Sequence, residues 1–223
     1  MGQANPRLRS LVQGKEAVTV GIVDIGIGNI GSLRNAVDSQ GWDVSTVSTG
    51  EDLSRVTHLL LPGVGAFSAA MARLESTGLD TAINEFSRAG NPVMGICLGM
   101  QLLADSGTEG GVVAGLGLIP GEVRPIQRKP GFALPHVGWN EVLQVRAHPL
   151  LKGIRADVDF YFVHGYRFVA QAPQSVIAET DYCEKFPSII GMGNVLGVQF
   201  HPEKSQVNGL RLIDNFCLWD GKC

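Results

Sequence analysis

The chain has 223 residues, a formal net charge of −3, 44% apolar and 17% charged residues. A chain of this length buries roughly 70% of its unfolded surface and needs no disulfides to fold as one domain. The weak acidity and the lack of a basic face argue against nucleic acid, and no apolar run reaches the ~18 residues that span a membrane. Glycine stands out, at 29 of 223 residues, nearly twice the usual ~7%, which implies many tight turns and close backbone approaches.

Residues 1–17 are polar, carry Arg7, Arg9 and Lys15, and lack the apolar core of a signal peptide. They read as a loose leader before a domain at 18–219, with 220–223 as a tail. The cysteines Cys97, Cys183, Cys217 and Cys223 show no C-x-x-C spacing and no metal pattern with the histidines. That favours reduced thiols, a cytoplasmic setting and no metal.

Ala17 to Ile25 is an apolar Val/Ile run that predicts a buried strand. Gly26-Ile27-Gly28-Asn29-Ile30-Gly31 follows, a literal G-x-G-x-x-G before a helical pattern at Asn29 to Asp38. A dinucleotide site would also want an acid at the end of the second strand. That strand, within Asp43 to Val47, ends in Ser48 and Thr49, and Glu51 and Asp52 arrive late. A tight glycine-rich turn is the simpler reading. Val56 to Leu61 predicts another buried strand, Ala66 to Arg73 and Leu79 to Ala89 predict helices, and Pro92 to Ile96 predicts a strand. Strands alternating with helices imply a mainly parallel α/β sheet. The second half changes character, with short strands expected at Glu122–Ile126, Trp139–Gln144, Phe160–Val163, Ser175–Ala178 and Val195–Phe200. They imply an antiparallel extension, closed by an amphipathic helix from Gln206 to Leu218.

The strand at Pro92 to Ile96 runs into Gly95-Ile96-Cys97-Leu98-Gly99. This is the G-x-nucleophile-x-G elbow with cysteine as the nucleophile. A sharp strand-to-helix turn strains the backbone and excludes bulky neighbours. It also sets the sulfur at a helix N-terminus, where partial positive charge favours a thiolate. A cysteine nucleophile needs a base, and the base needs an orienting group. Gly197-Val198-Gln199-Phe200-His201-Pro202-Glu203 offers both, with His201 and Glu203 on one side of an extended chain. The order Cys, His, Glu differs from the α/β-hydrolase order, in which the acid precedes the histidine. For an oxyanion hole, the N–H of Leu98 is one candidate donor. The turn Leu61-Pro62-Gly63-Val64-Gly65 supplies the other through Gly63 and Val64.

Together these segments resemble the class I, triad-type glutamine amidotransferases across most of residues 18–218. P-G-V-G at 62–65, G-I-C-L-G-M-Q at 95–101 and V-Q-F-H-P-E at 198–203 carry the resemblance. V-D-I-G-I-G-N at 23–29, P-H-V-G-W-N at 135–140 and Y-F-V-H-G-Y at 161–166 narrow it to the glutaminase subunits of imidazole glycerol phosphate synthase. The resemblance implies a single α/β amidotransferase domain, no cofactor, and hydrolysis of glutamine to glutamate and ammonia. It implies a heterodimer with a (β/α)-barrel cyclase that uses the ammonia to form imidazole glycerol phosphate and aminoimidazole carboxamide ribotide. Carried over by position, Cys97 is the nucleophile, His201 the base and Glu203 its orienter. Gln101, Glu109, His164, Gly165 and Tyr166 would line the glutamine. Asn29, Tyr161 and Lys204 would face the cyclase. Gly165 stands where Ser or Thr is usual, and Ala66 where a larger polar residue is common. Another amidotransferase subunit, of the anthranilate or aminodeoxychorismate kind, is the alternative enzyme; a dinucleotide-binding domain and a silent scaffold subunit are the alternatives of other classes.

Overall fold

A computed structural model describes residues 18–26 and 30–222. The leader, residues 27–29 of the glycine-rich turn, and Cys223 lie outside the described residues, so the expectation for Asn29 is not addressed by the structure. Among the described residues no helix is long and apolar enough to cross a membrane.

The first half alternates as the sequence implies. Strands β1 (Thr19–Val23), β2 (Asp43–Val47), β3 (His58–Gly63) and β4 (Val93–Cys97) alternate with helices α1 (Ile30–Ser39), α2 (Phe67–Thr77), α3 (Leu79–Arg88) and α4 (Leu98–Leu102). All four strands pair in parallel, in the order β2-β1-β3-β4. Successive side chains leave opposite faces of a strand, so the sheet supports two cores. Val20, Ile22, Leu60, Met94 and Ile96 pack under Leu33, Leu212 and Phe216. Leu59, Leu61 and Val93 pack on the other face under Met71, Leu74, Ile83 and Met100.

The second half adds β5 (Ser106–Gly107), β6 (Val113–Ala114), β7 (Gly121–Pro125), β8 (His136–Gln144), β9 (Asp157–His164), β10 (Tyr166–Ala170), β11 (Val176–Tyr182), β12 (Glu184–Met192) and β13 (Val195–Val198). Strand β13 joins β4 in parallel, and β12, β11, β8 and β9 extend the sheet antiparallel to nine strands. Strands β10, β7, β5 and β6 form a second sheet. Gly165 is the single residue between β9 of the large sheet and β10 of the small one. Helix α5 (Gln206–Leu218) closes the chain.

The differences from the sequence reading lie mostly in this half. β10 and β12 were not foreseen, and β8 begins at His136 rather than Trp139. In β12, Lys185, Pro187 and Ser188 break the apolar pattern, and its pairing with β11 carries its register. Helix α2 runs on to Thr77, where Gly78 (φ 69°) ends it in the left-handed region. Asp52, which follows the second strand too late for a dinucleotide site, ties its own loop together. Asp52 accepts the N–H groups of Ser48 and Thr49 at 3.0 and 2.9 Å, and those bonds, the Ser48 one first, lower its pKa.

Candidate active site

Strand β4 delivers Cys97 with φ 55° and ψ −112°. A non-glycine residue there is strained by about 1–3 kcal/mol and persists only where the surroundings enforce it. The two elbow glycines show how they enforce it. A Cβ on Gly99 would lie 1.7 Å from the Leu61 carbonyl oxygen, and one on Gly95 would lie 2.4 Å from that of Gly99. Helix α4 must therefore press its backbone onto β3 and β4, and only glycine leaves room for it.

His201 donates from Nδ1 to Glu203 Oε1 at 2.8 Å, and the Cys97 thiol, which lines the same cavity, donates to the Val163 carbonyl at 3.6 Å. The His201 N–H also bonds to the Tyr161 carbonyl at 2.8 Å, fixing the loop beyond β13 to β9. The sequence reading put His201 and Glu203 on one side of an extended strand. Instead, β13 stops at Val198 and Pro202–Lys204 form a 3₁₀ turn, which folds Glu203 back under the ring. Burial alone would lower the imidazole pKa, but the bonds to Cys97 and Glu203 outweigh it and raise it to about 9. An imidazolium beside the sulfur is the arrangement that stabilises a thiolate.

These groups open into a cavity of about 200 Å³. Val64, Cys97, Leu98, Gln101, Glu109, His164, Gly165, Tyr166, His201 and Lys204 all line it, so most of the residues singled out from sequence converge on one space. Gly63, Glu203 and Tyr161 do not line it: Glu203 sits behind His201, and Gly63 pairs with Cys97 in the β3–β4 register and packs behind Leu98. Glu109 accepts the Phe67 N–H at 2.9 Å and so ties the cavity rim to the start of α2. Gln101 donates to the Tyr166 carbonyl at 3.0 Å and to Gln199 Oε1 at 3.1 Å. Its Nε2 is committed inward, which leaves its Oε1 for a ligand.

Lys204 and Tyr161 meet at the mouth, with the ammonium 5.8 Å from the ring centre. The structure adds a residue that the sequence reading left without a role. Trp139 pairs with Tyr161 across β8 and β9, their ring centres 5.9 Å apart, and is 47% exposed. Val137 and Val163 continue this exposed apolar strip to the cavity. The other residue without an assigned role is Gln199, wholly buried between Val198 and Phe200. A polar residue inside an apolar run was its only signal in the sequence.

The chain matches the family described as Glutamine amidotransferase class-I over residues 21–219. It is 45% identical over 195 residues to imidazole glycerol phosphate synthase subunit HisH of Symbiobacterium thermophilum, covering 87% of this chain and 91% of the relative. The HisH subunit of Moorella thermoacetica is 44% identical over 88% of this chain and 93% of its own length. In fold, a crystal structure of a glutamine amidotransferase superposes with a TM-score of 0.72 at 19% identity, covering 91% of this chain and 98% of that one. With a cysteine elbow meeting a buried His–Glu pair, and with this likeness over nearly the whole length, the chain belongs to the class I glutamine amidotransferases, among the HisH subunits of imidazole glycerol phosphate synthase.

Proposed function

We propose that this chain is the glutaminase subunit of imidazole glycerol phosphate synthase, working through Cys97, His201 and Glu203. The observation that carries the reading is His201, bonded to Glu203 at 2.8 Å on one ring nitrogen and lining with Cys97 one cavity of about 200 Å³. The Cys97 sulfur attacks the side-chain amide carbon of glutamine. The oxyanion is met by the N–H of Leu98 and by the Gly63–Val64 turn. His201, protonated at neutral pH, gives its Nε2 proton to the departing nitrogen, and ammonia leaves behind a thioester. The same nitrogen then takes a proton from water, which frees glutamate. Glu203 fixes the tautomer and orientation of the ring and stabilises its charge. The Gln101 Oε1, Glu109 and the His164–Tyr166 segment hold the rest of the substrate.

The partner is a (β/α)-barrel cyclase that takes up the ammonia, in a heterodimer. The exposed strip of Val137, Trp139, Tyr161 and Val163, with Lys204 at its inner end, is its docking face on this reading. Aromatic residues surrounded by apolar ones are the usual anchors of such a face. Buried, unpaired Cys97, Cys183 and Cys217 support a cytoplasmic setting.

The test is glutamate release from glutamine by the chain alone, with the cyclase, and with the cyclase plus its acceptor substrate. Rates should rise in that order. The Val64 peptide, followed by Gly65 at φ 100°, can turn its N–H into or out of the cavity, and one oxyanion donor is worth roughly 10² to 10³ in rate. Equal rates in the three mixtures would remove that gating, and no glutamate in any of them would remove the glutaminase reading.

A further inference from the structure

Behind the cavity runs a chain of buried polar groups in which Gln199, His136 and Asn140 have no part in the reaction as drawn. Gln199 is wholly buried, and a carboxamide taken out of water destabilises the fold unless its hydrogen bonds are met. Its Oε1 accepts from Gln101 Nε2 at 3.1 Å, and its Nε2 donates toward the Cys97 sulfur at 3.9 Å.

The direction of every bond in this chain follows from one backbone carbonyl. The Tyr166 oxygen can only accept. It takes Gln101 Nε2 at 3.0 Å, which fixes that amide's orientation. Gln199 must then offer its oxygen to Gln101, and its nitrogen is what remains for Cys97. The same carbonyl faces His164 Nδ1 at 2.8 Å, so that nitrogen carries the hydrogen. His164 Nε2 is then bare and accepts from His136 Nδ1 at 3.0 Å. His136 Nε2 in turn accepts from the Asn140 amide at 3.4 Å. Neutral rings are required throughout, and burial supplies them, lowering His136 to about 4 and His164 to about 3.

We infer that Gln199 is a positioning residue for the nucleophile: its amide N–H donates to the Cys97 sulfur while the Val163 carbonyl takes the thiol hydrogen at 3.6 Å, so that the donor is already in place when the sulfur gives up its proton, and its orientation is enforced from the Tyr166 carbonyl through Gln101. This rests on Cys97 being the nucleophile of the glutaminase reaction. A donor aimed at sulfur favours the charged form, since a hydrogen bond to an anion is about twice as strong as one to a neutral acceptor. A donor from the fold stays in place through the cycle, whereas His201 gives up its proton as ammonia leaves.

The experiment uses the full chain with Gln199→Met, which keeps length and loses the donor, and Gln199→Glu, which keeps shape and offers an acceptor. The rate of Cys97 alkylation by iodoacetamide is followed against pH without glutamine, alongside kcat and KM. Both variants should alkylate ~10- to 100-fold more slowly at pH 7, the range for losing one hydrogen bond to a charged group, with profiles displaced to higher pH. Their kcat for glutamine should fall more than KM changes. In the unsubstituted protein, the Gln199 side-chain amide resonances should move as Cys97 titrates. Alkylation profiles that superimpose on wild type, or amide resonances that ignore the titration, overturn the inference and leave the glutaminase reading standing. Hydrolysis that survives Cys97→Ala overturns both.

Discussion

Strands β8 and β9 present opposite chemistries on their two faces, and each inverts the usual rule. One face carries Val137, Trp139, Tyr161 and Val163 outward, three of the four more than a third exposed. The other turns His136 and His164 inward among Phe160, Phe162 and Phe186. Apolar groups in water and polar groups in a core are the informative exceptions to hydrophobic burial. The alternation of a strand allows both at once, because neighbouring residues leave opposite faces. On the proposed reading the outward face serves assembly and the inward face supports chemistry, and one register, Val137 to Val163 and His136 to His164, fixes both.

The sharpest way to break this division is at the sulfur. Cys97→Ala should cut glutamine turnover at least ~10³-fold, while the complex still forms and the cyclase still runs on added ammonium salt. His201→Asn should be nearly as damaging, and Glu203→Gln less so, because orienting a base matters less than being one. Steady-state glutaminase assays rank the three, and a Glu203→Gln variant worse than His201→Asn would reverse the assigned roles.

The outward face is tested by Trp139→Ala. A central aromatic anchor is worth 2 kcal/mol or more, so the dissociation constant for the cyclase should rise ~30-fold or more by calorimetric titration. Glutamine hydrolysis by the isolated chain should stay within about twofold, as for surface substitutions generally.

The inward face is tested by pH. The folded-state value of His136, about 4, lies below its ordinary 6.5. Its contribution to stability is therefore present above pH 6.5 and is lost as pH falls toward 4, at up to about 1.4 kcal/mol per pH unit. His164 adds the same sign. His201 runs the other way: raised to about 9, it contributes below pH 6.5 and loses that contribution as pH rises through 9. Urea midpoints measured from pH 7 to 5 should fall, and His136→Phe should flatten the slope by one proton's worth.

The smallest expected effect is at the hinge between the sheets. A Cβ on Gly165 would find only Pro135 Cβ, at 3.9 Å, so Gly165→Ser should fold normally. A hydroxyl at the cavity wall should lower KM for glutamine about three- to tenfold, the worth of one modest hydrogen bond.

The parallel half was legible because β1, β3 and β4 are largely continuous apolar runs and the more polar β2 falls between two helical patterns, and its elements fell within a few residues of expectation. The elbow was legible because glycines at 95 and 99 are a local steric demand written next to the cysteine. β10 and β12 were not, since Arg167, Lys185 and Pro187 interrupt their pattern and their pairing partners are distant or across a turn. Gln199, His136 and Trp139 carried residue type without context.

By itself the sequence determined the candidate nucleophile and the histidine and acid proposed to serve it, the α/β class and the resemblance to an amidotransferase, because each rests on short spacings that the backbone enforces locally. Only the tertiary structure decided that a 3₁₀ turn brings Glu203 under His201, that Trp139 faces water beside Tyr161, and that one carbonyl orients the bonds from Asn140 to Cys97. Those depend on strand register and on which buried donors meet which acceptors, quantities fixed when distant segments pack and absent from any single stretch of chain.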